Sequence, residues 1–214
     1  MNKQLVASLK LIQGSMRTHL FSISDIEYFE TDYKEHNVLP DDGFPWKSFK
    51  KQTRLSGYDK HYWIRFSVET PQMEEGKEVF LSFGTSHETN WDADIAQGLL
   101  YINGEMVQGL DINHTDYRLE GNQHYDIYVY MYTSFTRDKE EYSIYADVVV
   151  TDLAVEKLYY DLSIPYEAAL CFEEDDDRYI KLITPQEINI AAHATVVAIN
   201  LNIVFIIRYI NCQY

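Results

Sequence analysis

HYWIRFSVET (61–70) and EVFLSFG (78–84) decide the fold class. In the first stretch Tyr62, Ile64, Phe66 and Val68 share one face. In the second Val79, Leu81 and Phe83 do the same. A side-chain period of two is that of a strand with one buried face. The intervening PQMEEG (71–76) has the composition of a turn.

Further along, GLLYIN (98–103) meets EMVQGLD (105–111) at Asn103–Gly104. Asn-Gly between two apolar runs signals a tight hairpin, because both central residues of that turn need positive φ. HYDIYVYMYT (124–133) sets Tyr125, Ile127, Val129 and Met131 against Asp126, Tyr128, Tyr130 and Tyr132. The stretch 141–163 reads as one or two long strands. Short alternating strands separated by turns predict a mainly β fold, a two-sheet sandwich.

Outward from this centre, Leu5, Leu9, Leu11 and Ile12 give residues 4–17 the spacing of an amphipathic helix. Residues 21–56 read as a connection whose aromatics pin it to a core. IPYEAALCF (164–172) reads as a strand-to-helix junction. EEDDD (173–177) reads as solvated surface or a helix start, and Thr184–Pro185 as cap and first turn of a helix. The expected organisation is therefore a helix and connecting segment over 1–57, a sandwich over 58–165 and a partly helical extension over 166–214.

The 214 residues can bury a core without staples, and 46% of them are hydrophobic. Thirty-four acidic against 18 basic residues give a net charge of −16, which disfavours nucleic acid and anionic membranes as partners. Two cysteines make no disulfide framework, and the first twenty residues lack a signal peptide's apolar core, so a reducing, cytoplasmic location is expected. The apolar stretch 188–210 approaches the length of a membrane span, but His193, Asn200, Asn202 and Arg208 interrupt it. A buried element, or an interface with another domain or a second copy, is the expectation there.

No sequence pattern for zinc proteolysis, nucleotide phosphates or a serine nucleophile occurs. Polar residues concentrate in 84–94 and 109–124. Trp91, Asp92, Asp94, Asp111, Asn113 and His114 form the candidate carbohydrate-binding set, since an indole stacks on a sugar ring while carboxylates accept from its hydroxyls. The competing reading makes these turn residues whose side chains cap backbone groups. Asn103 and Gly104 are structural turn residues. No residue is assigned as catalytic or as a metal ligand.

WDADIAQGLLYINGEMVQGLDINHTDYRL (91–119) resembles the N-terminal, non-catalytic region of glycoside hydrolase family 38 α-mannosidases. HYWIRFSVETP (61–71) and VFLSFGT (79–85) resemble it too. The resemblance covers 58–120 well and 1–165 in order and length. It implies a galactose-binding-like or jelly-roll β-sandwich, preceded by a helix, packing ahead of a metal-dependent catalytic barrel. The zinc-binding His-x-Asp pair belongs to that barrel. HAT (193–195) does not match it, so the resemblance implies a non-enzymatic fragment truncated before the barrel, with no cofactor of its own. Family members often carry Asn-Pro where this chain has Ile95–Ala96. The expected function is that of an accessory domain shaping a mannosidase's substrate entrance. The alternatives are a free-standing carbohydrate-binding module with a mannoside ligand, and an interaction protein that oligomerises through its apolar C-terminal segment.

Overall fold

The computed structural model describes residues 3–32, 36–86, 96–133 and 141–184. The chain divides into two compact units, His19–Val150 and Met1–Thr18 with Thr151–Tyr214. Its elements are α1 (Lys3–Met16), β1 (Arg17–Ser22), β2 (Glu27–Thr31), β3 (Lys47–Ser48), β4 (Leu55–Ser56), β5 (His61–Glu69), β6 (Lys77–Ser86), β7 (Gln97–Ile102), β8 (Glu105–Leu110), β9 (Asp116–Leu119), β10 (His124–Tyr132), β11 (Glu141–Asp152) and α2 (Leu153–Ala169).

The first unit is a β-sandwich. One sheet runs β1-β11-β6-β9, with β4 added on β11; the other runs β3-β2-β5-β10-β7-β8. The alternation seen in the sequence closes the core between them. Ile64, Leu81, Leu100, Ile127, Val129 and Val148 are each 0% exposed. β10 is the central strand of the six-stranded sheet, with β5 on one side and β7 on the other. Asn103 (φ 50°) and Gly104 (φ 91°) turn β7 into β8, pairing Ile102 with Glu105. The turn is also tied to β10, because Asn103 Oδ1 accepts from the Asp126 N–H at 2.9 Å and the Asn103 N–H donates to the Asp126 carbonyl at 2.8 Å.

Three expectations are corrected. The segment 21–56 is no mere connection, for it supplies β2, β3, β4 and the end of β1. The strand expected over 141–163 stops at Asp152, whose carboxylate caps α2 by accepting from the N–H groups of Ala154 and Val155. The stretch 164–172 is therefore the end of a helix, with Pro165 inside it, rather than a strand-to-helix junction. Buried Val155, Leu158, Leu162, Tyr166 and Ala169 follow helical spacing.

In the second unit, α2 packs with Leu5 and Leu9 of α1 and with Ile183. Ile183 and Thr184 lie in a helical stretch over 177–184, so Thr184 is itself helical rather than the cap expected of it, and Pro185 lies outside the described residues. Asp176 caps this stretch by accepting from the Arg178 N–H at 2.7 Å. The Arg178 guanidinium beside it, together with that N–H, holds the Asp176 carboxyl at a pKa of about 2. The acidic run is thus a helix start. No described helix is long and apolar enough to cross a membrane. The stretch 188–210 lies outside the described residues.

Candidate functional site

The outer face of the six-stranded sheet is organised in rows by strand register. Phe29, Trp63, Tyr130 and Leu99 pair successively across β2, β5, β10 and β7. The next row is Thr31, His61, Tyr132 and Gln97. Outward-facing residues of a half-solvated sheet are usually wet, yet Phe29, Trp63, Tyr101 and Tyr130 are all at most 8% exposed and form their own aromatic cluster. Part of the cover comes from the stretch ahead of β3. Trp46 meets Phe29 edge-on at 4.7 Å, and Tyr101 donates its hydroxyl to the His36 carbonyl at 2.9 Å. Arg65 stacks over Trp46 at 4.1 Å while its Nε donates to Glu27 at 2.8 Å.

These rows carry a hydrogen bond continued by a close polar contact. Tyr130 Oη lies 2.8 Å from His61 Nδ1, and His61 Nε2 lies 3.3 Å from Asp59 Oδ1. His61 is 6% exposed, so this wiring fixes the Tyr130 ring from beneath. Beside it, Tyr132 donates its hydroxyl to Gln97 Oε1 at 2.6 Å.

Tyr130, Tyr132 and Gln97 border an open cleft of about 550 Å³ that Gln108, Asp111 and His114 complete. Its far wall is a pinned turn. Asp111 Oδ1 accepts from the N–H groups of Asn113 (2.7 Å) and His114 (2.9 Å) and lies 2.9 Å from His114 Nδ1. The Asn113 N–H first, then the His114 side chain, hold the Asp111 carboxyl below its ordinary value. Gln108 Nε2 donates to the Asp116 carbonyl at 3.2 Å. The cleft therefore offers amides, an ionised carboxylate and an imidazole beside the half-buried Tyr132 ring. Such a lining suits a neutral polyhydroxylated ligand better than an anion.

Of the sequence-selected residues, Asp111 and His114 stand together at this cleft. Asn113 contributes its backbone to the same turn. Trp91, Asp92 and Asp94 lie outside the described residues. Gln97, Gln108, Tyr130 and Tyr132 were not selected from the sequence. The signal for the two tyrosines was the outward series of the 124–133 alternation, whose meaning depends on register with β5 and β7, and the two glutamines were marked only by flanking the Asn103–Gly104 turn. Among the described residues no group of three or more His, Cys, Asp or Glu is placed to hold a metal ion.

No family model matches the chain, and no curated protein matches it. Among solved structures it is similar to parts of bacterial β-glucuronidases. The apo Ruminococcus gnavus enzyme gives 14% identity and a TM-score of 0.42 over 64% of this chain and 29% of that one. The same enzyme in complex with D-glucaro-1,5-lactone gives 14% and 0.41 over the same shares. Faecalibacterium prausnitzii β-glucuronidase gives 16% and 0.36 over 54% and 21%. The chain spans less than a third of the length of each, and a likeness at these scores carries no activity across to it.

Proposed function

We propose that this chain is a non-catalytic accessory domain of a glycoside hydrolase of the α-mannosidase type, whose outer-face cleft contributes sugar contacts beside the substrate entrance of a catalytic domain. The observation that carries the reading is convergence on one cleft. The residues of the hairpin and its continuation that carry the most distinctive family resemblance, Gln108, Asp111 and His114, line it together with Gln97, Tyr130 and Tyr132. The half-buried Tyr132 ring suits the C–H surface of a pyranose, and the amides and Asp111 suit its hydroxyls. The net charge of −16 favours a neutral sugar over a phosphorylated one. An exposed, unpaired Cys171 suits the cytoplasm.

Calorimetric titration with methyl α-D-mannopyranoside tests the cleft. Saturable binding is expected, weakened about tenfold by Gln108→Ala, the worth of one hydrogen bond. No binding to this probe or to a broad panel of neutral glycosides sinks the sugar reading. Zinc-dependent turnover of p-nitrophenyl α-D-mannopyranoside by the purified chain overturns the non-catalytic one.

A further inference from the structure

The sandwich interior departs from its own pattern at one end. Along β6 the inward positions are Val79, Leu81 and Phe83, at most 2% exposed, and then Thr85. Along β7 they are Ile102, Leu100 and then Gly98, with Ala96 just ahead of the strand. Where the pattern calls for large apolar side chains, three neighbouring positions hold small ones. Gly98 has a local reason, since a Cβ there would come within 3.0 Å of the Tyr130 carbonyl oxygen and 3.2 Å of Val129 Cγ1.

The result is a cavity of about 330 Å³ between the sheets, open to solvent on one side. The floor is apolar, made by Phe83, Leu110, Val129 and Met131. One polar atom breaks it: Thr85 Oγ1 is buried and has no hydrogen-bond partner in the protein. Native chains seldom leave such a group unpaired. Gln97, Asp111, Thr115 and Tyr145 stand at the polar mouth. Gln97, Gly98, Leu110 and Asp111 line both this cavity and the outer cleft, so the two adjoin there.

We infer that this inter-sheet cavity is a second ligand site, taking one neutral ring with an apolar body and a hydroxyl that hydrogen-bonds Thr85 Oγ1: an aromatic or alicyclic alcohol. The volume sits at the lower end of the roughly 300–1,000 Å³ typical of ligand pockets, enough for a single substituted ring. An anion is disfavoured by Asp111 at the mouth, and a cation by the cost of burying charge against Phe83 and Met131. A polyol is disfavoured as well. The floor offers one partner, so its remaining hydroxyls would lose their water unpaid. The inference stands apart from the sugar-cleft reading, and failure of mannoside binding leaves it untouched.

The test is ligand-observed NMR and thermal-shift titration of the full chain with benzyl alcohol, toluene and methyl α-D-mannopyranoside. Benzyl alcohol is expected to bind saturably and to resist displacement by the mannoside. Thr85→Val is nearly isosteric and is expected to weaken benzyl alcohol roughly tenfold, as for one lost hydrogen bond, while leaving toluene unaffected. Thr85→Ser keeps the hydroxyl and is expected to retain wild-type affinity, which guards against a folding defect in the valine variant. Ala96→Leu fills the cavity and is expected to exclude both rings. No benzyl alcohol binding, equal affinity in Thr85→Val, or competition by the mannoside would each overturn the assignment.

Discussion

Both faces of the six-stranded sheet bury side chains, but by different chemistry. On the inner face Ile64, Leu100, Ile127 and Val129 are 0% exposed and carry no polar side-chain atom. On the outer face Trp63, Tyr101 and Tyr130 are nearly as inaccessible, yet the Tyr130 hydroxyl is bonded to His61 and the Tyr101 hydroxyl to the His36 carbonyl. Aliphatic packing tolerates adjustment as long as volume is kept. A wired aromatic layer does not, because each lost partner strands a buried polar group. The inner face accounts for the existence of the sandwich, and the outer face for the fixed shape of the cleft beside it.

The largest expected effect tests whether the outer layer is a true core. Trp63→Ala should cost about 3–5 kcal/mol and Ile64→Ala about 2–5 kcal/mol in urea denaturation. A cost below about 1 kcal/mol for Trp63→Ala would reduce the outer layer to a loose cover. Next in size is Tyr130→Phe, which removes the buried Tyr130–His61 hydrogen bond at a cost of about 1–3 kcal/mol. His61→Phe added to it should cost less than the sum of the two single changes, because both remove the same hydrogen bond. Strict additivity would dissolve the wiring.

The inner face was readable from the sequence because period-two alternation reports one buried face, and β5, β6, β7 and β10 are long enough to display it. β3 and β4 have two residues each, too short for any period, and β1 is exposed along its whole length, so no apolar face marks it. The start of α2 was hidden by VVVTDLAVEKLYYDLS, whose β-branched and tyrosine residues favour strands, although Asp152 and the spacing of Val155, Leu158 and Leu162 already marked a capped helix. The cleft was half readable. Polar loop composition pointed to Asp111 and His114, but the partners across from them come from strand register, which no single strand displays.

The Asn103 turn joins the two faces at the end of β7, and its substitution should have an intermediate effect. Asn103→Ala loses the acceptor for the Asp126 N–H and puts a Cβ-bearing residue without a local side-chain bond at φ 50°. A destabilisation of about 1–2 kcal/mol is expected. Asn103→Gly restores the backbone freedom but not the acceptor, so it should recover only part of that loss. Full recovery would leave the tie to β10 without energetic weight.

The smallest effect lies at the start of β10. There the outer face turns ionic: His124 Nδ1 is 2.7 Å from Glu69 Oε1 and Nε2 is 3.2 Å from Asp126 Oδ1. Glu69 first, then Asp126, raise the imidazole's pKa above its ordinary 6.5. A raised folded-state value means that the folded chain holds the proton more tightly than the unfolded one. The resulting stabilisation is complete below about pH 6.5 and disappears as pH rises through the raised value. The group is exposed, so the effect should be small and weakened further by salt. NMR titration of the His124 ring should show the upward shift. At low salt, melting temperatures of the wild type and His124→Gln should differ more at pH 5.5 than at pH 8.5, with wild type the more stable at the lower pH. A gap that widens toward high pH would mean that the imidazole is held neutral, and the outer face would then be as indifferent to protons as the aliphatic face behind it.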